Sequence, residues 1–306
     1  MSAIKLAFNK KPSNAIAMIK ALLLPRAGFN TKVGLPELKA SWHGATVDPQ
    51  ALAGYCNTLG IAPSHHLPIA YPHVMAGTLC MNMLAHQKFP IRLLGALHLK
   101  NRIVQHRPIR SDETVDIHMS LGGYRLIEKG MEFDFFTEVT EVAKRGEPSA
   151  KGTRLWYETT TYFVRGKFGK GDEKSFELES LEAGEALQQW HIPSDRGRTY
   201  ASISGDYNPI HMSKLAAKAF GFKRDIAHGF GVMAQAIDRT SLLEDSQTET
   251  SNSHAVQLDV IFKGPIFLDT DVSLKHKPDQ APGRLDLYCG NNTRPNLCLA
   301  ITSVAT

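Results

Sequence analysis

The chain has 306 residues, 42% apolar and 21% charged, which allows two ordinary globular domains or one large one. Its net charge of +5 is too mild to point to nucleic acid, and no run of about 18 uncharged apolar residues offers a membrane span. Four cysteines (Cys56, Cys80, Cys289 and Cys298) form no C-x-x-C pair, which argues against a disulfide framework or zinc site and fits a reducing, cytoplasmic setting.

Residues 1–36 carry Lys5, Lys10, Lys11, Lys20, Arg26 and Lys32 and no acid. The apolar stretch Ala15–Leu24 is broken by Lys20, and Pro25-Arg26-Ala27-Gly28 is a poor cleavage site, so this basic extension reads as a structural helix with its lead-in. Val47–Leu59 reads as helix, opened by Asp48-Pro49. Ala76–Gln87 predicts an apolar helix. Strands follow at Gly95–His106, Thr114–Tyr124, Glu132–Lys144 and Lys151–Arg165, the last rich in β-branched and aromatic residues. A turn is predicted at 121–123, and the polar, glycine-bearing Gly166–Ser180 begins a linker.

The second half repeats the order. Helices are predicted at Lys214–Phe220 and Gly229–Leu243, with a polar loop at Glu244–Asn252. Strands follow at His254–Lys263, Asp271–His276, Arg284–Cys289 and Leu297–Val304, with a turn at 290–292. The resemblance between halves extends to residues. Pro108-Ile109, Asp112 and Val115 match Pro265-Ile266, Asp269 and Val272 at one constant offset. Upstream, His73–Gly77 matches His228–Val232, and Tyr55…Gly60 matches Tyr200…Gly205. Three matched features in one order argue for duplication. A central apolar helix followed by antiparallel strands is α+β, a sheet wrapped around a helix, here made twice. The expected parts are an extension at 1–45, a first half at 46–165, a linker at 166–189 and a second half at 190–306.

The chemistry-bearing segment is Gly205-Asp206-Tyr207-Asn208-Pro209-Ile210-His211. Gly205 permits a tight turn and Asn208-Pro209 fixes another, which brings Asp206 and His211 toward each other. A carboxylate and an imidazole sharing one water can move protons in both directions. Asp206 is expected to stay ionised and accept a proton. Taken alone, Asp-x-Asn-Pro is a common turn, and a histidine a few residues later is more often a capping or surface residue. The nearby Ala227-His228-Gly229 adds a helix start, whose free N–H groups suit an oxygen gaining negative charge.

The run from Tyr200 through this loop to Ala217 resembles the signature of MaoC-like, or type 2, enoyl-thioester hydratases: an aromatic, a small residue, Gly-Asp-x-Asn-Pro-aliphatic-His, five residues, then Ala or Ser. The spacing from His211 to Gly229 is also similar to the family's. In detail the resemblance covers roughly Trp190 to Val304, and Leu67–His73 with Leu94–Pro108 looks like the degenerate half of double hot-dog members. The resemblance implies a double hot-dog fold and reversible hydration of a trans-2-enoyl thioester to an (R)-3-hydroxyacyl thioester. It makes Asp206 and His211 the catalytic pair, with Asn208 fixing the loop, Gly229 N–H polarising the thioester carbonyl, and Gly205 and Tyr200 in support. It implies neither metal nor redox cofactor, an acyl-CoA or acyl-carrier protein as partner, and a monomer or homodimer. After Tyr55–Gly60 the first half continues Ile61-Ala62-Pro63-Ser64-His65-His66 and lacks the loop, so one site per chain is expected, with the first half making room for a longer acyl chain.

His65-His66 has no ligand-spaced carboxylate or cysteine and reads as loop. His73 and His228 read as helix-entry residues. Lys263 and Arg107 could meet carrier phosphates, although either suits a solvated strand end. Met75, Met81, Met83 and Met233 read as core. Two other functions compete. A hot-dog thioesterase would place a carboxylate on or facing the central helix, where Gly229–Ala236 has none, and a non-catalytic acyl-thioester-binding protein would keep the loop as structure.

Overall fold

The computed structural model describes residues 3–23, 25–92, 96–142, 152–169, 171, 176–181, 184–240, 254–277 and 281–305. The first half runs β1 (Ile4–Phe8), α1 (Asn14–Leu23), β2 (Leu38–Ala45), α2 (Pro49–Leu59), α3 (Tyr71–Ala85), β3 (Ala96–Gln105), β4 (Val115–Ile127), β5 (Gly130–Glu141) and β6 (Arg154–Arg165). The second runs β7 (Glu185–Ile192), α4 (Arg196–Ser204), α5 (Pro209–Met212), α6 (Lys214–Ala219), α7 (Gly229–Asp238), β8 (His254–Phe262), β9 (Thr270–Lys277), β10 (Ala281–Cys289) and β11 (Leu297–Ala305).

These elements form two compact units that interleave along the sequence. Unit 1 takes residues 1–48, 65–99 and 103–175, and unit 2 takes residues 49–64, 100–102 and 176–306. In unit 1 the strand order is β1-β2-β4-β5-β6-β3, with β1 parallel to β2 and β2, β4, β5 and β6 antiparallel in turn. In unit 2 the order is β7-β9-β10-β11-β8, antiparallel throughout. Replacing β2, β4, β5, β6 and β3 by β7, β9, β10, β11 and β8 turns one order into the other. The duplication read from matched residues is therefore a duplication of topology, and the fold is a double hot-dog.

Each unit keeps its long apolar helix in the core. Eleven of the fifteen residues of α3 are buried, and Phe230 to Ile237 of α7 are all buried. Met75, Met81, Met83 and Met233 are among them. Burying an apolar side chain of this size is worth about 1.5–3 kcal/mol, so these helices carry much of each unit's stability. The basic extension is built into unit 1. There β1 and β2 join the sheet, and α1 lies on α3 with Ala17, Met18 and Ala21 buried. No helix among the described residues is long and apolar enough to cross a membrane.

Four expectations are corrected in detail. Helix α3 starts at Tyr71 rather than Ala76, because Pro72 sits in the first turn, where no backbone N–H is needed. Residues 121–123 are no turn. They lie within β4, where the pairing with β5 slips between Leu121 and Tyr124, and a Cβ on Gly122 would fall 2.8 Å from the Phe136 ring. The Gly-Gly pair marks a bulge and a close approach instead. Strands β1, β2 and β7 were not predicted, and β7 begins inside the expected linker. Helix α7 ends at Asp238, not Leu243, with Arg239 as its C-cap. The loop predicted at Glu244–Asn252 lies outside the described residues.

Candidate active site

Helix α4 ends at Gly205, whose φ of +76° is the left-handed cap that a residue without Cβ adopts at least cost. The chain then folds on its own side chains. Asp206 N–H donates to Ser204 Oγ at 3.2 Å, Asn208 N–H to Asp206 Oδ1 at 3.1 Å, and Ile210 N–H to Asn208 Oδ1 at 3.4 Å. Asn208 is thus the N-cap of α5, with Pro209 in its first turn. This short helix turns Ile210 and His211 inward, and both are buried.

Main-chain carbonyls hold the two imidazoles of the site. His211 Nδ1 lies 2.9 Å from Ile226 O. A carbonyl only accepts, so His211 donates from Nδ1 and its Nε2 is left as the acceptor. His228, the N-cap residue of α7, donates from Nε2 to Asp206 O at 2.9 Å, and Asp206 Oδ2 lies 3.8 Å from the same nitrogen. The two rings stack with centroids 3.7 Å apart and planes 28° apart, and Tyr200 lies 4.9 Å from His228 on its ring centroid. One donor atom from each of Asp206, His211 and His228 falls within 4.8 Å of the others. The loop reading of Asp206 and His211 as a pair therefore gains a third member, His228, which the sequence reading had given to helix entry.

Burial sets the electrostatics. Desolvation pulls the His211 pKa below its ordinary value, against the opposing pull of the Asp206 carboxylate. It does the same to His228, and the neighbouring His211 adds to the effect. Two stacked, desolvated rings favour the neutral form of both. Burial also pushes the Tyr200 phenol up, so it stays protonated. Asp206 keeps a half-exposed side chain, at 47%. The site thus offers a wetted carboxylate beside two neutral imidazoles.

Three glycines make this packing possible. A Cβ on Gly197 would fall 1.9 Å from His211 O, one on Gly229 2.8 Å from the Phe262 ring, and one on Gly231 2.8 Å from the Tyr200 ring. The N–H of Gly229 belongs to the first turn of α7, where helix geometry supplies no partner. Gly197 and Gly231 went unread in the sequence, because nothing local announces a close approach to a residue far along the chain.

Helix α2 belongs to the same unit and braces the site from behind. Gln235 Nε2 on α7 donates to Leu59 O at 2.9 Å, Arg196 Nη1 on α4 donates to Thr58 O, and the Tyr55 ring lies 6.4 Å from Tyr200. Helix α2 also ends at a left-handed glycine, Gly60 at φ +70°, as α4 ends at Gly205. Past that point the repeats diverge. His65 and His66 pair with the 110–111 segment of unit 1 through main-chain contacts, as loop. His73 lies in the first turn of α3, with Nδ1 2.7 Å from Glu158 Oε1. Arg107 is held by Glu113 at 2.6 Å and Glu141 at 3.2 Å, while Lys263 is exposed just past β8.

Residues 182–278 match the family profile described as a MaoC like domain. The chain is 26% identical over 241 residues to 3-hydroxyacyl-thioester dehydratase X of Mycobacterium tuberculosis, covering 78% of this chain and 80% of that protein. It is 29% identical over 153 residues to the peroxisomal enoyl-CoA hydratase 2 of Arabidopsis thaliana, covering 46% of this chain and 47% of the relative. The crystal structure of HtdX of Mycobacterium tuberculosis superposes with a TM-score of 0.67 at 24% identity, over 87% of this chain and 100% of that one, a likeness of fold. On the matched profile, the shared sequence and the repeated topology, this chain carries a MaoC-like dehydratase domain in its second half.

Proposed function

We propose that the chain is a hydro-lyase that adds water across a trans-2-enoyl thioester to give an (R)-3-hydroxyacyl thioester, and removes it in reverse. The observation that carries this reading is the convergence of the Asp206 carboxylate and the His211 and His228 imidazoles on the loop beside the start of α7. Relatives named as a 3-hydroxyacyl-thioester dehydratase and an enoyl-CoA hydratase support it.

In the forward direction a water sits between the Asp206 carboxylate and His211 Nε2. As its oxygen bonds to C3, one water proton passes to this pair. The C2–C3 π electrons move toward the thioester carbonyl, whose oxygen gains negative charge against Gly229 N–H. C2 then takes a proton from the pair, which returns to its starting state. The (R) outcome rests on the family resemblance. The carrier is CoA or the phosphopantetheine of an acyl-carrier protein. Lys263 is the more available cation for its phosphates, because it is exposed while Arg107 is already engaged by two carboxylates. No metal or redox group takes part in this scheme. The chain acts as a monomer or homodimer, and its four free cysteines suit a reducing compartment such as the cytoplasm.

The test is the enoyl-thioester absorbance of crotonyl-CoA. Loss of that band with the wild type, abolished in Asp206→Asn and His211→Gln, supports the reading. Release of free thiol without loss of the double bond would replace it with a thioesterase. That outcome is disfavoured because α7 carries no carboxylate before Asp238.

A further inference from the structure

A second cluster of ligand-type side chains lies in unit 1, on β2 and β4. The strands pair with Trp42 opposite Ile117 and Ala45 opposite Val115, so His43 and Gly44 together face Asp116 alone. This is a bulge, and bulges re-aim side chains. It turns His43 onto the face that carries Asp116 and His118, which are two residues apart on β4 and so point to the same side.

The local geometry orients the carboxylate. Gly44 takes φ +64° and donates its N–H to Asp116 Oδ1 at 2.8 Å. Asp116 Oδ2 is left toward His43, 3.5 Å from Nδ1. The rings of His43 and His118 lie 5.5 Å apart at 69°. One donor atom from each of the three residues lies within 4.8 Å of the others. Asp116 is only 12% exposed, whereas the His43 side chain is 46% exposed. Glu138 sits opposite His118 in the register of β4 and β5, and Arg154 Nε holds it at 2.5 Å.

We propose that His43, Asp116 and His118 bind a divalent transition ion of borderline softness, Zn2+ in the first instance. Two imidazoles and a carboxylate supply three ligands of the type Zn2+ takes at about 2.0–2.2 Å, with a fourth position open to solvent. Harder ions such as Mg2+ prefer oxygen ligands and are poorly served here. The ion would clamp β2 to β4 across the bulge, and so stabilise unit 1 by mass action. His43 lies far from Asp116 and His118 in the sequence, which is why no motif announces the three together.

The test is calorimetric titration of the chelator-stripped full chain with Zn2+, and with Co2+ followed by its visible absorption. We expect one ion per chain, with affinity weakened at least about tenfold in His43→Ala and in His118→Ala. Binding should persist in Asp206→Asn and His211→Gln, which remove the rival trio of the active site. Zn2+, but not Mg2+, should raise the unfolding midpoint of the wild type and leave that of His43→Ala unmoved. His43 is exposed, and the metal-free midpoint of this variant should equal the wild type's, which separates lost binding from lost fold. No saturable binding, binding that survives in His43→Ala and His118→Ala, or binding lost only in the active-site variants would each overturn the proposal.

Discussion

His211 and His228 stack face to face at 3.7 Å, both buried, each tied by one ring nitrogen to a main-chain carbonyl. The bond from Nδ1 to Ile226 O leaves Nε2 of His211 as its acceptor, and His228 covers one face of that ring. Most of what can be tested about the site follows from this pair.

The first consequence is a pH dependence. Burial holds both histidines below the ordinary value of 6.5. Between the folded value and 6.5 the unfolded chain binds a proton that the folded chain refuses, so acid favours unfolding. Stability from these groups is full above 6.5 and is lost as pH falls toward the folded values. In the proposed mechanism the neutral His211 is also the active form. We expect kcat/KM to stay level around neutrality and to fall only on the acid side of 6.5, and the melting temperature to drop over the same window. An acid limb centred above 6.5 would show that burial does not lower the His211 pKa in the working enzyme.

His228→Ala should lower kcat by about tenfold to a hundredfold with little change in KM, because displacing a positioned group by about 1 Å can cost this much. The opened space admits water to His211, so the acid limb of the pH profile should also move up toward 6.5. A purely structural role for His228 would lower the melting temperature and leave that limb in place.

Gly229→Ala places a methyl against the Phe262 ring, 2.8 Å from its nearest atom. We expect a loss of about 1–3 kcal/mol in denaturant unfolding, the usual cost of overpacking, together with reduced activity. Phe262→Leu in the same chain removes the ring edge and should restore part of both. If the double variant is no better than the single, the clash lies elsewhere.

Gly197→Ala drives a Cβ into His211 O, a main-chain atom that cannot move without carrying α5 with it. Asn208→Ala removes only the cap of that helix, worth about 1 kcal/mol. Gly197→Ala should therefore be the more destabilising of the two in urea titration, and both should depress kcat by loosening His211.

At the carrier end, Lys263→Ala should raise KM for a CoA thioester several-fold with kcat unchanged, and the effect should shrink as salt is added. Arg107→Ala should leave KM as it is, since Glu113 and Glu141 already occupy the guanidinium. Loss of affinity in Arg107→Ala would assign the phosphate contact to that residue instead.

The sequence by itself determined the features whose parts are neighbours in the chain. The turn at Gly205, the cap at Asn208 and the spacing of Asp206 to His211 are local, so residue chemistry announces them. The duplicated order of helix and strands was legible for a similar reason, because apolar periodicity and the matched Pro-Ile, Asp and Val positions repeat at one offset. Tertiary structure alone decided the rest. His228 joins His211 across a bend of the chain, and α2 braces the site although it precedes it by well over a hundred residues. The tolerance for close approach at Gly197 and Gly231 depends on partners that no local pattern names. Strand β7 and the bulge in β4 were misread because polar alternation and a Gly-Gly pair resemble a linker and a turn until pairing partners are known. The physical reason is common to all of these: local propensity acts over a few residues, whereas burial and stacking are settled only when distant segments compete for the same space.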